Sequence, residues 1–253
     1  MLEIQNLTAG YPGRPVLSDI SLTIPAGAVT VIAGPNGCGK STLLKALAGI
    51  LPSAGSVKLQ GRELSGLPPK ELARTVAYLP QNRGVPEITA ERLVLHGRFP
   101  YLSYPRRYRK EDYAAARQAM ARLGITELAE RTLPELSGGQ RQKVYIAMAL
   151  AQDTAVVLLD EPNTFLDIAH QMQLMQHARL LAAEGKTVVL VLHDLAMALE
   201  YGDHLVIMAQ GGVVTQGDAE AVYGSGALDR TFGVGVQRMG TPEGWKYYYR
   251  SFP

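Results

Sequence analysis

Apolar and polar positions change period several times along the chain, and those changes divide it into elements. Residues 2–8 alternate, turn at Tyr11-Pro12-Gly13-Arg14-Pro15, and alternate again over 16–24, which predicts an antiparallel pair of strands. Residues 29–33 (Val-Thr-Val-Ile-Ala) form a short β-rich apolar run, and 42–48 carry apolar residues at helical spacing with Gly49 as a stop. A short strand at 56–59, a turn at Gly61 and a brief helix opening at Pro68-Pro69 lead to a strand over 75–79 that ends at Pro80-Gln81. From about Asn82 strand patterns stop. Thr89 is placed to cap a helix over 90–96, and an Ala-rich helix over 111–123 ends at Gly124. Continuous apolar runs at 155–160 and 187–192 suit parallel strands buried on both faces. A helix over 167–184, closed by Gly185, separates them, and another follows over 194–201. Residues 204–209 and 213–216 flank Gly211-Gly212 as a hairpin, and the aromatic tail 236–252 reads as β, turning near Glu243-Gly244.

The expected architecture is α/β: a mainly parallel core sheet, an N-terminal antiparallel β-subdomain and an inserted helical subdomain. Residues 1–81 and 155–253 make the core with its β-subdomain, and 82–154 the insertion, all within one domain spanning 1–253. Composition agrees, since 253 residues at 47% hydrophobic and 19% charged are enough to bury a substantial core. A net charge of +2 decides little about partners. The single cysteine, Cys38, excludes an internal disulfide and fits a reducing compartment. The N-terminus has neither a basic start nor an apolar core of a secretory signal, and no uncharged apolar run reaches the ~18 residues of a membrane span. A soluble protein is expected; if it works at a membrane, another chain does the spanning.

Chemistry concentrates first at Gly34-Pro35-Asn36-Gly37-Cys38-Gly39-Lys40-Ser41, followed by Thr42. Gly, four residues, Gly-Lys-Ser between a predicted strand and a predicted helix fits a phosphate-binding loop, and the pattern by itself also fits a Gly-rich turn that happens to contain Lys-Ser. The glycines let successive N–H groups point at one spot, and the helix start adds its positive dipole end. Lys40 is expected to reach the β- and γ-phosphates and Ser41 to ligate Mg²⁺. Cys38 is either a small side chain that fits or a thiol whose modification blocks nucleotide.

Asp160 ends a buried strand and Glu161 follows it directly. Ligands of open parallel sheets sit beyond the carboxyl ends of the strands, so Asp160 is expected to face Lys40 and Ser41 and hold Mg²⁺. Glu161, pointing another way, suits polarisation of the water that attacks the γ-phosphate. Gln81, at the end of its strand, could touch Mg²⁺ or that water, or be a polar turn residue. His193 ends the next core strand and is placed to contact a γ-phosphate. Tyr11 could stack on a nucleobase, a contact worth about 1–3 kcal/mol.

Leu136-Ser137-Gly138-Gly139-Gln140 runs into a helical pattern over 141–151. Ser137 and Gln140 have capping-box spacing, and the two glycines leave the amides uncovered, so this is a second helix start suited to an anion. The chain has one lysine-and-magnesium set, so the second start either completes the site of another copy, head to tail, or is a structural cap.

Taken together, Gly34 to Ser41, Gln81, Leu136 to Gln140, Leu158 to Glu161, Phe165-Leu166-Asp167 and His193 resemble, in this order, the nucleotide-binding subunit of an ATP-binding cassette (ABC) transporter, a P-loop NTPase. The resemblance covers essentially the whole chain. It implies ATP and Mg²⁺ as ligands, Tyr11 stacked on adenine, Gln81 reporting to membrane subunits and Asp167 communicating across a homodimer. It further implies integral-membrane permease subunits, an extracytoplasmic substrate-binding protein acting indirectly, no nucleic-acid partner, and a peripheral position on the cytoplasmic face of the membrane. The segments 94–101 and 166–171 are similar to ATPases of iron-siderophore, haem and cobalamin importers. Asn163 departs from the usual Thr or Ser, and Lys143 and Met148 replace usual arginines. Rival expectations are a soluble ABC ATPase without a transport role, an exporter cassette, and a scaffold that binds ATP without cycling. The cationic run Tyr104 to Lys110 reads as a solvated surface, or a face near lipid headgroups or a partner.

Overall fold

The structure, a computed structural model, describes residues 1–163 and 166–251. β1 (Leu2–Tyr11) and β2 (Arg14–Ile24) pair antiparallel across Pro12-Gly13. All five residues of β3 (Val29–Ala33) are buried, and the loop after it enters α1 (Lys40–Leu47). β4 (Ser53–Leu59) pairs with the free edge of β1, and β5 (Arg62–Glu63) extends that sheet. α2 (Pro69–Thr75) runs straight into β6 (Val76–Leu79). Helices α3 (Ala90–His96), α4 (Lys110–Arg122) and α5 (Gly138–Ala151) come next, with single 3₁₀ turns at Phe99–Tyr101, Thr126–Leu128 and Leu133–Glu135. The core then resumes with β7 (Val156–Asp160), α6 (Ile168–Ala183), β8 (Thr187–Val191), α7 (Leu195–Tyr201), β9 (His204–Ala209) and β10 (Gly212–Gly217). Two short helices, α8 (Ala219–Gly224) and α9 (Ala227–Phe232), precede the hairpin of β11 (Gly235–Thr241) and β12 (Gly244–Arg250).

The main sheet has the order β10-β9-β3-β8-β7-β6, parallel except for β10 at one edge. Its central strands β3, β8 and β7 are buried along their whole length and largely apolar because both faces are covered, whereas the edge strand β10 is partly exposed and carries polar residues. Ile32, Leu158, Val189 and Val206 pack with Leu43, Leu44 and Leu47 of α1 and with the β1–β2 pair. Val31, Val157, Leu190 and Leu205 point the other way, into a cluster with Leu93, Met120, Val144 and Met175 from α3 to α6. Successive residues of one strand thus belong to different cores, as the pleat requires. The helices of the 82–154 segment share a continuous apolar cluster with one face of the sheet. Within that segment α3 and α5 touch through Gly97, where an added Cβ would stand 2.2 Å from the Met148 carbonyl oxygen.

The element order expected from the sequence is largely present. β4 starts at Ser53 rather than at 56, because Gly55 (φ +105°) and Asn6 (φ +50°) shape a bulge opposite one another. A Cβ on Gly55 would lie 2.6 Å from the Asn6 carbonyl oxygen, so glycine is required there. Thr75 closes α2 instead of opening β6, and α8 and α9 lie where no helix was expected. The tail is a hairpin as expected, though Phe252 lies outside the described residues. Among the described residues no helix is long and apolar enough to cross a membrane.

Candidate active site

The loop from Gly34 to Gly39 lies between the end of β3 and the start of α1. Gly34 is confined, since a Cβ would fall 2.2 Å from the Met208 carbonyl oxygen and 2.7 Å from Cys38 Sγ. Gly37 and Gly39 adopt φ of +78° and +108°, the left-handed region that side chains resist. This curled backbone sets Lys40 so that its Nζ donates to the carbonyls of Gly34 (2.7 Å) and Pro35 (3.1 Å). The ammonium is therefore held inside the loop. Cys38 is buried, and burial pushes its thiol up in pKa despite nearby Lys40. A buried protonated thiol is a poor nucleophile, so the small-side-chain reading of Cys38 fits better than the reactive one.

The two carboxylates after β7 have different surroundings. Asp160 lies in the sheet register opposite Val191 and is 1% exposed. Burial raises its pKa, while hydrogen bonds from Ser41 Oγ (3.0 Å, to Oδ1) and Tyr78 OH (3.1 Å, to Oδ2) oppose the rise. Glu161 takes φ +50° and turns out of the strand. Gln81 Nε2 donates to its Oε2, and His193 Nε2 stands 2.6 Å from its Oε1. Gln81 follows β6 and His193 follows β8, so groups from three neighbouring strand ends converge on one carboxylate.

These parts line a cleft of about 640 Å³ with walls from Tyr11, Arg14, Asn36, Gly37, Ser41, Thr42, Gln81, Glu161 and His193. That volume is within the usual range of small-molecule sites. Tyr11 is half exposed at its mouth, with Lys45 Nζ 3.3 Å from its hydroxyl. The donors suit a nucleoside triphosphate and its cation. Ser41 Oγ and Asp160 Oδ1 are hard oxygens 3.0 Å apart, and Asp160 is a buried carboxylate whose ionised form a divalent cation favours. Among the described residues no group of three or more His, Cys, Asp or Glu side chains could hold a metal ion.

Ser137, Gly139, Gln140 and Asp167 do not join this cleft. They line a separate depression with Lys143 and His170. Ser137 caps α5: its Oγ accepts from Gln140 N at 3.3 Å, and Ser137 N donates to Gln140 Oε1 at 3.0 Å. Gly138 is the first residue of the helix. Asp167 caps α6, accepting from His170 N at 2.9 Å with His170 Nδ1 2.7 Å away. Phe165 lies outside the described residues.

Four side chains about the site were not singled out from the sequence. Tyr78 braces Asp160, and its own hydroxyl is pushed up in pKa by burial and by that carboxylate. Arg14 faces Tyr11 across the β1–β2 turn and lines the cleft. Gln142, buried in α5, donates to the Pro162 carbonyl, and Tyr145 OH donates to the Gly84 carbonyl under the Arg83 guanidinium. The last two tie α5 to the segments after Glu161 and after Gln81. A buried glutamine and tyrosine inside an amphipathic pattern carry no sequence signal beyond their polarity.

Residues 17–164, more than half of the chain, match the family described as ABC transporter. Similar curated proteins include the ferric enterobactin transport ATP-binding protein FepC of Escherichia coli (strain K12), 43% identical over 91% of this chain and 86% of its own length. The probable siderophore transport system ATP-binding protein YusV of Bacillus subtilis (strain 168) is 41% identical over 93% and 87%. The hemin import ATP-binding protein HmuV of Nocardia farcinica (strain IFM 10152) is 42% identical over 95% and 84%. Among solved structures, an inward-facing conformation of a transporter described as of metal-chelate type superposes with a TM-score of 0.85 at 26% identity, covering 100% of this chain and 97% of the other. The phosphate loop, the carboxylate pair after β7, the histidine after β8 and the Ser-Gly-Gly helix start, together with these matches, make the chain a member of the ABC transporter ATP-binding family.

Proposed function

We propose that this chain is the ATP-hydrolysing subunit of an importer for a metal chelate of the iron-siderophore or haem type. It would work as a homodimer on the cytoplasmic face of the membrane, beneath separate permease subunits served by an extracytoplasmic binding protein. The observation that carries the catalytic part is the convergence of Gln81, Glu161 and His193 beside Lys40 and the Ser41–Asp160 pair. The transport part is supported by relatives over 90% of the chain whose names specify siderophore and hemin transport or import.

In this reading Tyr11 stacks on the adenine, and the loop amides from Gly34 to Thr42 with Lys40 hold the phosphates. Ser41 and Asp160, with Gln81, would hold Mg²⁺, which neutralises charge on the phosphate oxygens when bound. Glu161 takes a proton from water as the water oxygen attacks the γ-phosphorus. The bond to the bridging oxygen breaks, and ADP and phosphate leave. His193 steadies Glu161 from one side and offers its ring to the γ-phosphate. Ser137 to Gln140 of a second copy close over that phosphate, and Asp167 lies along the same boundary. The segment 82–154 is the arm that carries this helix start.

Glu161→Gln keeps the shape of the site and removes its base. Phosphate release should fall by about 10²-fold or more while ATP still binds by titration. Undiminished release would reject the assignment, and a chain that binds ATP with no release even in the parent form would favour the scaffold alternative. Isolation of the complex from membranes, with identification of the polytopic chain bound to it, tests the transport part. Recovery of a DNA-repair or ribosomal partner in its place would reject that part.

A further inference from the structure

His193 lies on a three-residue link between β8 and α7, and that link is fastened from outside the main sheet. Asp194 caps α7, its Oδ1 accepting from Ala196 N at 2.9 Å and Met197 N at 3.2 Å. The same carboxylate oxygen accepts from Tyr249 OH at 2.7 Å, and the Tyr249 oxygen in turn accepts from Ala196 N at 2.8 Å. Tyr249 belongs to β12 of the C-terminal hairpin, more than fifty residues away. Its hydroxyl has a pKa pushed up to about 12, first by burial and then by the Asp194 carboxylate. The phenol therefore remains a donor at any physiological pH.

We infer that Tyr249 is a positioning residue for ATP hydrolysis, holding the His193 link in register through Asp194 so that the imidazole meets Glu161. Three features point this way. The tyrosine bonds to the residue adjoining His193, and to both the donor and the acceptor of the cap. The imidazole is nearly half exposed, so few of its own contacts fix it apart from Glu161 at 2.6 Å. The hairpin also has a separate anchor on α7, Lys246 Nζ to Glu200 Oε2 at 2.7 Å, so fastening α7 as a whole does not require a bond at Asp194. Deleting one hydrogen bond that orders a catalytic group lowers turnover about fivefold without touching nucleotide affinity.

This inference rests on the proposed role of His193, so His193→Ala is assayed alongside. The full chain is compared as parent, Tyr249→Phe, Lys246→Ala and His193→Ala for MgATP turnover, with the His193 ring nitrogens followed by ¹H–¹⁵N NMR. Tyr249→Phe should lower kcat about fivefold with KM for ATP within twofold, and should shift the His193 ring signals. Lys246→Ala should leave kcat and those signals unchanged. If His193→Ala is impaired while Tyr249→Phe turns over like the parent, or slows without moving the ring signals, the positioning role is overturned. An equal loss in Lys246→Ala would assign the effect to hairpin docking and overturn it too. An unimpaired His193→Ala instead removes the reading of His193 itself.

Discussion

Asp160 and Glu161 are neighbours in sequence and opposites in environment. One remains in the sheet, sealed and braced by two hydroxyls, while the other leaves it in a left-handed turn and meets a histidine and a glutamine. The glycines of the phosphate loop are as individual. Gly34→Ala would drive a Cβ into the Met208 carbonyl and Cys38 Sγ, with backbone on one side unable to yield. It should weaken ATP binding more than tenfold, an outcome of over about 1.4 kcal/mol readable by titration. Away from the site, Glu63 is a pH-sensitive fastening of the small sheet. Although desolvation opposes it, hydrogen bonds from Ser56 Oγ, Val57 N and Ser65 N hold its pKa down at about 2. A carboxylate depressed in the folded state stabilises above its unfolded pKa of about 4.3, and loses that contribution as pH falls toward 2. Glu63→Gln should therefore lower the melting temperature at pH 7 and converge with the parent only as pH falls to about 2. A constant gap across that range would contradict the assignment.

At the level of elements, the helices of the 82–154 segment are joined by close backbone approach and one shielded ion pair. Arg98 lies 3.2 Å from Asp112, also donates to the Ala151 carbonyl, and stacks over Tyr101. Both partners are largely buried, so Arg98→Ala strands a carboxylate and should cost about 3 kcal/mol in urea unfolding. Arg122→Ala removes an exposed pair with Glu184 and should cost at most about 1 kcal/mol. A comparable loss in the two variants would show that shielding does not matter there. The elements themselves were legible wherever burial was two-sided or a cap was explicit. Residues 29–33, 155–160 and 187–192 read as strands, each within a residue of the observed end, because both faces are covered, and Thr89 and Ser137 cap the helices their spacing suggested, while Asp167, read as the first residue of its helix, caps it instead. What was missed depends on contacts distant in sequence. The start of β4 is set by a bulge against β1, and α8 and α9 are six-residue helices too short for a periodic signal.

For the molecule as a whole, the sequence indicated which groups meet in one cleft, because each follows a core strand and parallel strands present their ends on one side. It did not reveal Tyr78 hydrogen-bonded to Asp160 or Tyr249 hydrogen-bonded to Asp194, since neither stands near its partner in the chain. The separate depression at Ser137 to Gln140 gives the pairing proposal its sharpest test. Among the described residues a Cβ on Gly139 would meet only Leu166 Cδ2, at 3.7 Å, and an acidic residue in the first turn suits a helix start. Gly139→Asp should therefore melt at or above the parent temperature. Combined with Glu161→Gln, it should nevertheless lose ATP-dependent dimerisation in light scattering, because its charge stands where a partner's phosphate would come. A dimer that persists would exclude that helix start from the interface. Moving such an equilibrium from 1:99 to 99:1 takes about 5.5 kcal/mol of differential affinity.

The strand order β3-β8-β7-β6 has one further consequence. The lysine loop, His193, the carboxylate pair and Gln81 follow four consecutive strands of that series, so their roots stand in a row ruled at about 4.8 Å intervals. Hydrogen bonds between adjacent strands fix the spacing of these roots. A partner that closes the site can therefore engage all four groups along one straight edge of the sheet.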